Sequence, residues 1–179
     1  SVHIVAVQGE VKEVLLEIGR HIIDTDAVTV TAVTLTAGGN VAFQFSKGDE
    51  RSAAVQLSDP LQYIYEPNAA ILKAGAFRLV ASRYGLSKLA PNSHLYTSDT
   101  VVPDFPGRVF ILDTLVKTDR KALQEHIPTM KANLTTRNFP QSVADLRKKL
   151  GLKEGGDTYV LATTLQNGDK RLLITRKAL

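Results

Sequence analysis

The chain opens inside a strand. Val2-His3-Ile4-Val5-Ala6-Val7 is apolar on both of the faces that a strand would present. That is the pattern of a strand covered above and below, as in a parallel sheet. Such a strand needs hydrogen-bonded neighbours along both edges. No Met precedes it, and we read Ser1 as a boundary inside a longer protein. With its neighbours missing, the strand predicts self-association through residues 1–45, or disorder there. Val11, Val14, Leu15 and Ile18 follow at i, i+3, i+4 and i+7, which predicts a helix stopped by Gly19.

The pattern then turns to pleated structure. Residues 27–36 are rich in Val and Thr, and with Val41–Phe45 they flank Gly38-Gly39-Asn40. This predicts an antiparallel hairpin. Residues 47–51 read as a polar break and 61–65 as a short strand. Pro67 is expected to open a helix with Leu72, Ala76, Leu79 and Val80 buried, Gly75 closely packed inside it and Gly85 at its end. Residues 86–107 read as an irregular connector with a short strand at Leu95-Tyr96-Thr97. From Arg108 the order is strand (109–116), helix capped by Thr118, strand (131–137), helix capped by Ser142, then strands 158–165 and 170–176. Asn167-Gly168 joins the last two. That order predicts a compact α/β unit.

Composition excludes several function classes. Hydrophobic residues are 44% and charged residues 22%, which is enough apolar surface for a globular fold. The absence of cysteine excludes disulfides and thiolate metal sites, and it accords with a reducing, cytoplasmic compartment. No apolar run approaches the roughly 20 residues that cross a bilayer, so no membrane partner is expected. Residues 1–107 carry 8 Lys and Arg against 11 Asp and Glu, net −3. Residues 108–179 carry 14 against 7, net +7. The C-terminal part is therefore expected to meet an anion, with RNA the leading candidate.

Lys131 and Arg137 flank a predicted strand, and Asn138-Phe139 leads into the next helix. A basic side chain, an aromatic ring and free helix N–H groups together can hold a phosphate and a base. Arg147, Lys148 and Lys149 end the following helix, where cations also complement the dipole. Arg171, Arg176 and Lys177 add charge at the last hairpin. These ten residues are the expected RNA-contacting face. Tyr63, Tyr65 and Glu66 form a second cluster, read either as a substrate-side wall or as junction packing with bonded hydroxyls. His3, His21, His94 and His126 show no ligand spacing, so no metal is expected. Gly38-Gly39 and Gly155-Gly156 read as turns rather than a cofactor loop, and no catalytic or cofactor-binding residue is assigned.

Three stretches carry a family resemblance. His3-Ile4-Val5-Ala6-Val7-Gln8-Gly9-Glu10-Val11-Lys12-Glu13-Val14-Leu15-Leu16 resembles the junction between the fifth strand and its helix in a bacterial family of class I S-adenosylmethionine-dependent RNA methyltransferases. Tyr63-Ile64-Tyr65-Glu66-Pro67-Asn68-Ala69-Ala70-Ile71-Leu72-Lys73-Ala74-Gly75 resembles the link after that family's core, part of a ferredoxin-like insert in some members. Residues 108–179, including Thr136-Arg137-Asn138-Phe139-Pro140 and Leu150-Gly151-Leu152, resemble its THUMP-like terminal domain. The implied fold is α/β: a C-terminal remnant of a Rossmann-like methyltransferase sheet (1–58), a linker helix with ferredoxin-like insert (59–107) and a small α/β THUMP-like domain (108–179).

The resemblance also implies that S-adenosylmethionine is the cofactor of the parent protein. The family's glycine-rich loop, ribose-binding acid and Pro-containing catalytic motif would all lie before Ser1, so no cofactor is expected on these residues. Asp59-Pro60 lacks that motif's second Pro and aromatic, and it is not read as catalytic. The expectation is an RNA-recognition part of a methyltransferase that is not catalytic by itself. The alternative is a non-catalytic protein-interaction or oligomerisation module.

Overall fold

The computed structural model describes residues 1–21 and 24–178. Ile22, Ile23 and Leu179 lie outside it, so the expectations for 1–45, 1–58 and 108–179 are followed over the remaining residues. The fold is mixed α/β. It comprises two compact units: residues 1–55, 67–86 and 104–107, and residues 56–66, 87–103 and 108–179.

The first unit is built on a sheet of β1 (Val2–Val7), β2 (Glu10–Leu16), β3 (Thr29–Thr36) and β4 (Gly39–Ser46), in the order β2-β1-β3-β4. The opening strand is therefore central. It pairs antiparallel with β2 and parallel with β3, so this chain supplies both neighbours. The expectation of an opening strand with unpaired backbone groups is corrected accordingly.

The helix expected over 11–18 is also corrected: Glu10–Leu16 is the strand β2. Gln8 and Gly9 both have positive φ, 52° and 82°, the backbone of a two-residue hairpin turn. The helical stripe read from the sequence is not buried. Val11 is half-buried, and Val14, Leu15 and Ile18 are 48%, 49% and 88% exposed. The resemblance to a strand-to-helix junction fails at the same place.

The β3–β4 hairpin forms as expected. The polar break at 47–51 is instead a helix, α1 (Lys47–Ser52). Ser46 Oγ accepts from Asp49 N–H and the Asp49 carboxylate accepts from Ser46 N–H, a reciprocal cap that starts the turn. The single helix expected after Pro67 is two, α2 (Ala69–Ala74) and α3 (Leu79–Tyr84). Asn68, not Pro67, opens α2, its side chain accepting from Ile71 N–H at 3.0 Å. Gly75 closes α2 in the left-handed conformation, φ 79°. A Cβ there would meet nothing within 4 Å, so its role is conformational and not close packing. Gly75→Ala is expected to cost about 1 kcal/mol, measured by chemical denaturation. Inside a helix the same change would stabilise. Arg78 offers α3 no side-chain cap; Glu50 does so, its carboxylate accepting from Arg78 and Leu79 N–H, both at 2.8 Å. Ile4, Ala6, Val30, Ala32, Phe43 and Phe45 are buried on one sheet face, with Ala70, Ile71, Val80 and Ala81 from the helices.

The second unit holds a sheet of β5 (Tyr63–Pro67), β6 (Ser87–Lys88), β7 (Tyr96–Ser98), β8 (Gly107–Lys117), β9 (Asn133–Arg137), β10 (Thr158–Thr164) and β11 (Lys170–Lys177). The order is β6-β7-β5-β8-β11-β10-β9. Two helices accompany it, α4 (Arg120–His126) and α5 (Val143–Leu150). Asp119, one residue after the expected Thr118, caps α4 through Oδ1, which accepts from Lys121 and Ala122 N–H. Ser142 and Gly151 bound α5 as expected, Gly151 at φ 67°.

Strand alternation sorts the core into two clusters. Leu134, Val160, Ala162, Leu172 and Ile174 meet Leu123, Leu146 and Leu150 of α4 and α5. On the other face Leu161, Leu165, Leu173 and Phe110 meet Ile64, Leu89 and Leu95. Ile64 of β5 and Leu89 and Leu95 from the β6–β7 connection thus pack on the sheet face opposite α4 and α5.

Candidate nucleic-acid interface

Strand register gathers cations at one end of that face. Arg137 on β9 lies beside Thr163 on β10, Thr163 beside Arg171 on β11, and Arg171 beside Lys117 on β8. Residues in register share a face, and strands are about 4.8 Å apart. Arg137, Arg171 and Lys117 therefore form a lateral row about 14 Å long. Fully buried Thr163 sits within the row, its hydroxyl 3.1 Å from Ser93 Oγ. Arg171 is held by Asp169 at 2.6 Å.

Arg137 also takes part in an ion triad. Glu66, only 2% exposed, lies at the end of β5. Its Oε1 is 2.7 Å from Arg137 Nη2. Its Oε2 accepts from Arg108 Nε at 2.8 Å and also from Arg108 Nη2. A buried carboxylate needs a charged partner to offset its desolvation. This one has two, and both stay reachable from solvent, Arg108 at 46% and Arg137 at 35% side-chain exposure. The Arg108 guanidinium lies 5.4 Å from the centroid of the Phe110 ring.

His94 reports the field around these cations. Burial, then the charges of Lys88 and Arg137, push its imidazole down from 6.5 to about 4. Lys88 is itself buried, its ammonium donating to Pro91 C=O at 2.7 Å. The unfolded chain takes up this proton below 6.5 and the folded unit only near 4. The second unit is therefore expected to lose stability as pH falls from 6.5 toward 4. Urea midpoints across that window, compared with those of His94→Gln, check the sign; the variant removes this part of the slope.

The other expected site residues are dispersed. Arg147, Lys148 and Lys149 sit on α5, across the sheet from Arg137. Lys131 is exposed, with its Cε 3.0 Å from where a Cβ on Gly155 would stand. Phe139 packs against the helix-side core and is not a free stacking platform. Asn138 adopts φ 53° and donates through Nδ2 to Thr164 C=O at 3.3 Å. Arg176, bonded to Asp113, and Lys177, over the Tyr159 ring, lie at the opposite end of β11 from Arg171. Of the ten, the row and triad bring together Arg137 and Arg171, and they add Lys117, Arg108 and Glu66.

In the Tyr63-Tyr65-Glu66 cluster the hydroxyl of buried Tyr65 donates to Thr100 C=O at 3.0 Å and accepts from Val102 N–H at 2.9 Å, both partners within the second unit. Among the described residues no group of His, Cys, Asp and Glu is placed to hold a metal, and no helix is long and apolar enough to cross a membrane. In the first unit a cleft of about 420 Å³ lies at the C-terminal ends of the parallel pair β1 and β3, lined by Val7, Gln8, Gly9 and Thr34–Ala37. Its lining carries no titratable side chain.

Comparison with known proteins assigns these regions. Residues 63–106 match the model of a ferredoxin-like domain, and residues 107–177 match that of a THUMP domain-like family. The chain is thus a mixed α/β protein with a ferredoxin-like domain followed by a THUMP-like one. It is similar to a solved structure described as a putative methyltransferase from Porphyromonas gingivalis W83, with a TM-score of 0.90 and 39% identity. The similarity covers 99% of this chain and 45% of that one, so this chain spans less than half the length of the solved protein. No curated protein matches it.

Proposed function

We propose that this chain is the RNA-recognition part of an S-adenosylmethionine-dependent methyltransferase and is not catalytic by itself. The observation that carries this is the row of Arg137, Arg171 and Lys117 on one face of the THUMP-like sheet. Cations at strand spacing suit a polyanion, whose phosphates supply most of the affinity. The likeness to a protein described as a putative methyltransferase supports a parent enzyme of that class. Residues 1–58, with their parallel pair, would then close the catalytic core. The absence of cysteine supports a cytoplasmic setting.

Mobility shifts with structured RNA, together with calorimetric titration of S-adenosylmethionine, test this reading. RNA retardation without heat from the methyl donor is expected. Heat from the donor on these residues alone, or no RNA binding at any salt concentration, would refute it.

One observation favours the second reading, an association module. Strand β2 is a sheet edge, with Val14, Leu15 and Leu16 about half or more exposed. Unpaired apolar edges invite pairing with another chain. Sedimentation equilibrium checks it, and a concentration-independent monomer would dismiss it.

A further inference from the structure

Glu66 is buried and needs one guanidinium to offset its charge; it has two. Two arginines and one carboxylate leave a net charge of +1, the complement of a phosphodiester. Neither fork is fully used. Arg108 engages Glu66 through Nε and Nη2, which leaves Nη1 on a side chain 46% exposed. Arg137 engages Glu66 through Nη2 and Thr136 C=O through Nη1. Its Nε is buried and, like Glu66 Oε1, makes no hydrogen bond, so the polar groups of this pair are not fully satisfied by each other. Arginine forks match phosphate geometry, and here a carboxylate fixes their orientation in advance.

We propose that Arg108 and Arg137, oriented by Glu66, form a receptor for one phosphodiester group of an RNA backbone. This deepens the RNA reading and rests on it. Arg108 and Arg137 are the binding residues. Glu66 is a positioning residue, turned away from the ligand by its own two ion pairs. His94 is the reporter, because its proton is held off first by burial and then by the charges of Lys88 and Arg137, and an anion seated here offsets those charges.

The test uses dimethyl phosphate as the diester probe, inorganic phosphate as the monoester-like probe, and an unphosphorylated RNA oligomer, all with the full chain. In NMR titrations at constant ionic strength, dimethyl phosphate is expected to raise the His94 midpoint by about one unit. The rise is lost in Arg108→Gln. Arg108→Lys keeps the charge pair with Glu66 but not the fork, and it is expected to fold and to show a smaller rise. For the oligomer, Arg108→Gln is expected to flatten the slope of log K against log salt by about 0.7, one contact on a single strand.

An unmoved His94 midpoint overturns the proposal, as does an equal rise in Arg108→Gln. A rise with inorganic phosphate alone overturns the diester assignment, and an equal rise with a glutamate-rich peptide shows the site to be a carboxylate site. If dimethyl phosphate acts through Arg108 but RNA never binds, the receptor stands and the RNA reading falls. If RNA binds with an unchanged slope in Arg108→Gln and the probe is silent, the receptor falls alone.

Discussion

Glu66→Ala is expected to destabilise the second unit by about 3 kcal/mol, the lower end of the range for a broken buried ion pair. The wild-type carboxylate is 2% exposed and holds guanidiniums on both oxygens. Without it, two like charges face each other across a small void. Both guanidiniums are partly exposed, which lets water soften the cost and keeps it from the upper end. The loss has an electrostatic signature: repulsion between exposed cations is screened by salt. Added sodium chloride should therefore recover part of the deficit in urea denaturation. A deficit insensitive to salt would mean that Glu66 acts through packing alone.

Phe110→Ala is expected to cost about 4 kcal/mol, as for other buried aromatic truncations. Phe110 is fully buried on β8 where residues 56–66 and 87–103 meet the sheet, its ring centroid 5.2 Å from that of Tyr159. It also underlies the Arg108 guanidinium. Phe110→Leu, which keeps most of the volume, should lose under about 1.5 kcal/mol. Equal losses for the two variants would contradict the packing account.

Much of the second unit was legible in the sequence. Asn167-Gly168, the stripe of Val143, Leu146 and Leu150, and Gly151 are local signals, and local energetics decide those elements. The first unit is less legible, because there tertiary pairing overrides periodicity. Val11, Val14, Leu15 and Ile18 fit a helix, but a left-handed Gln8-Gly9 turn folds the segment back on β1. Gly75 reads from the sequence as a closely packed glycine inside a helix and is a terminator.

The site was half legible. Arg137 and Arg171 are two of the 14 basic residues of 108–179 behind the charge asymmetry that points to RNA. Their alignment across Thr163 depends on the register of three strands, which spacing along one chain does not encode. Arg108 and Glu66 are 42 residues apart. The usable signal was a lone acid in the apolar strand Tyr63-Ile64-Tyr65-Glu66, since a buried acid implies a cation. Nothing in the sequence said which cation.

RNA is expected to bind the sheet face bearing Arg137 and Arg171, not the helix face bearing Lys148 and Lys149. Salt-dependent mobility shifts with one structured RNA, run between roughly 50 and 200 mM salt, compare the two faces directly. Arg137→Gln with Arg171→Gln should flatten the slope of log K against log salt by about 1.4 to 1.8, two phosphate contacts. Lys148→Gln with Lys149→Gln should leave it unchanged. The reverse pattern would contradict the account.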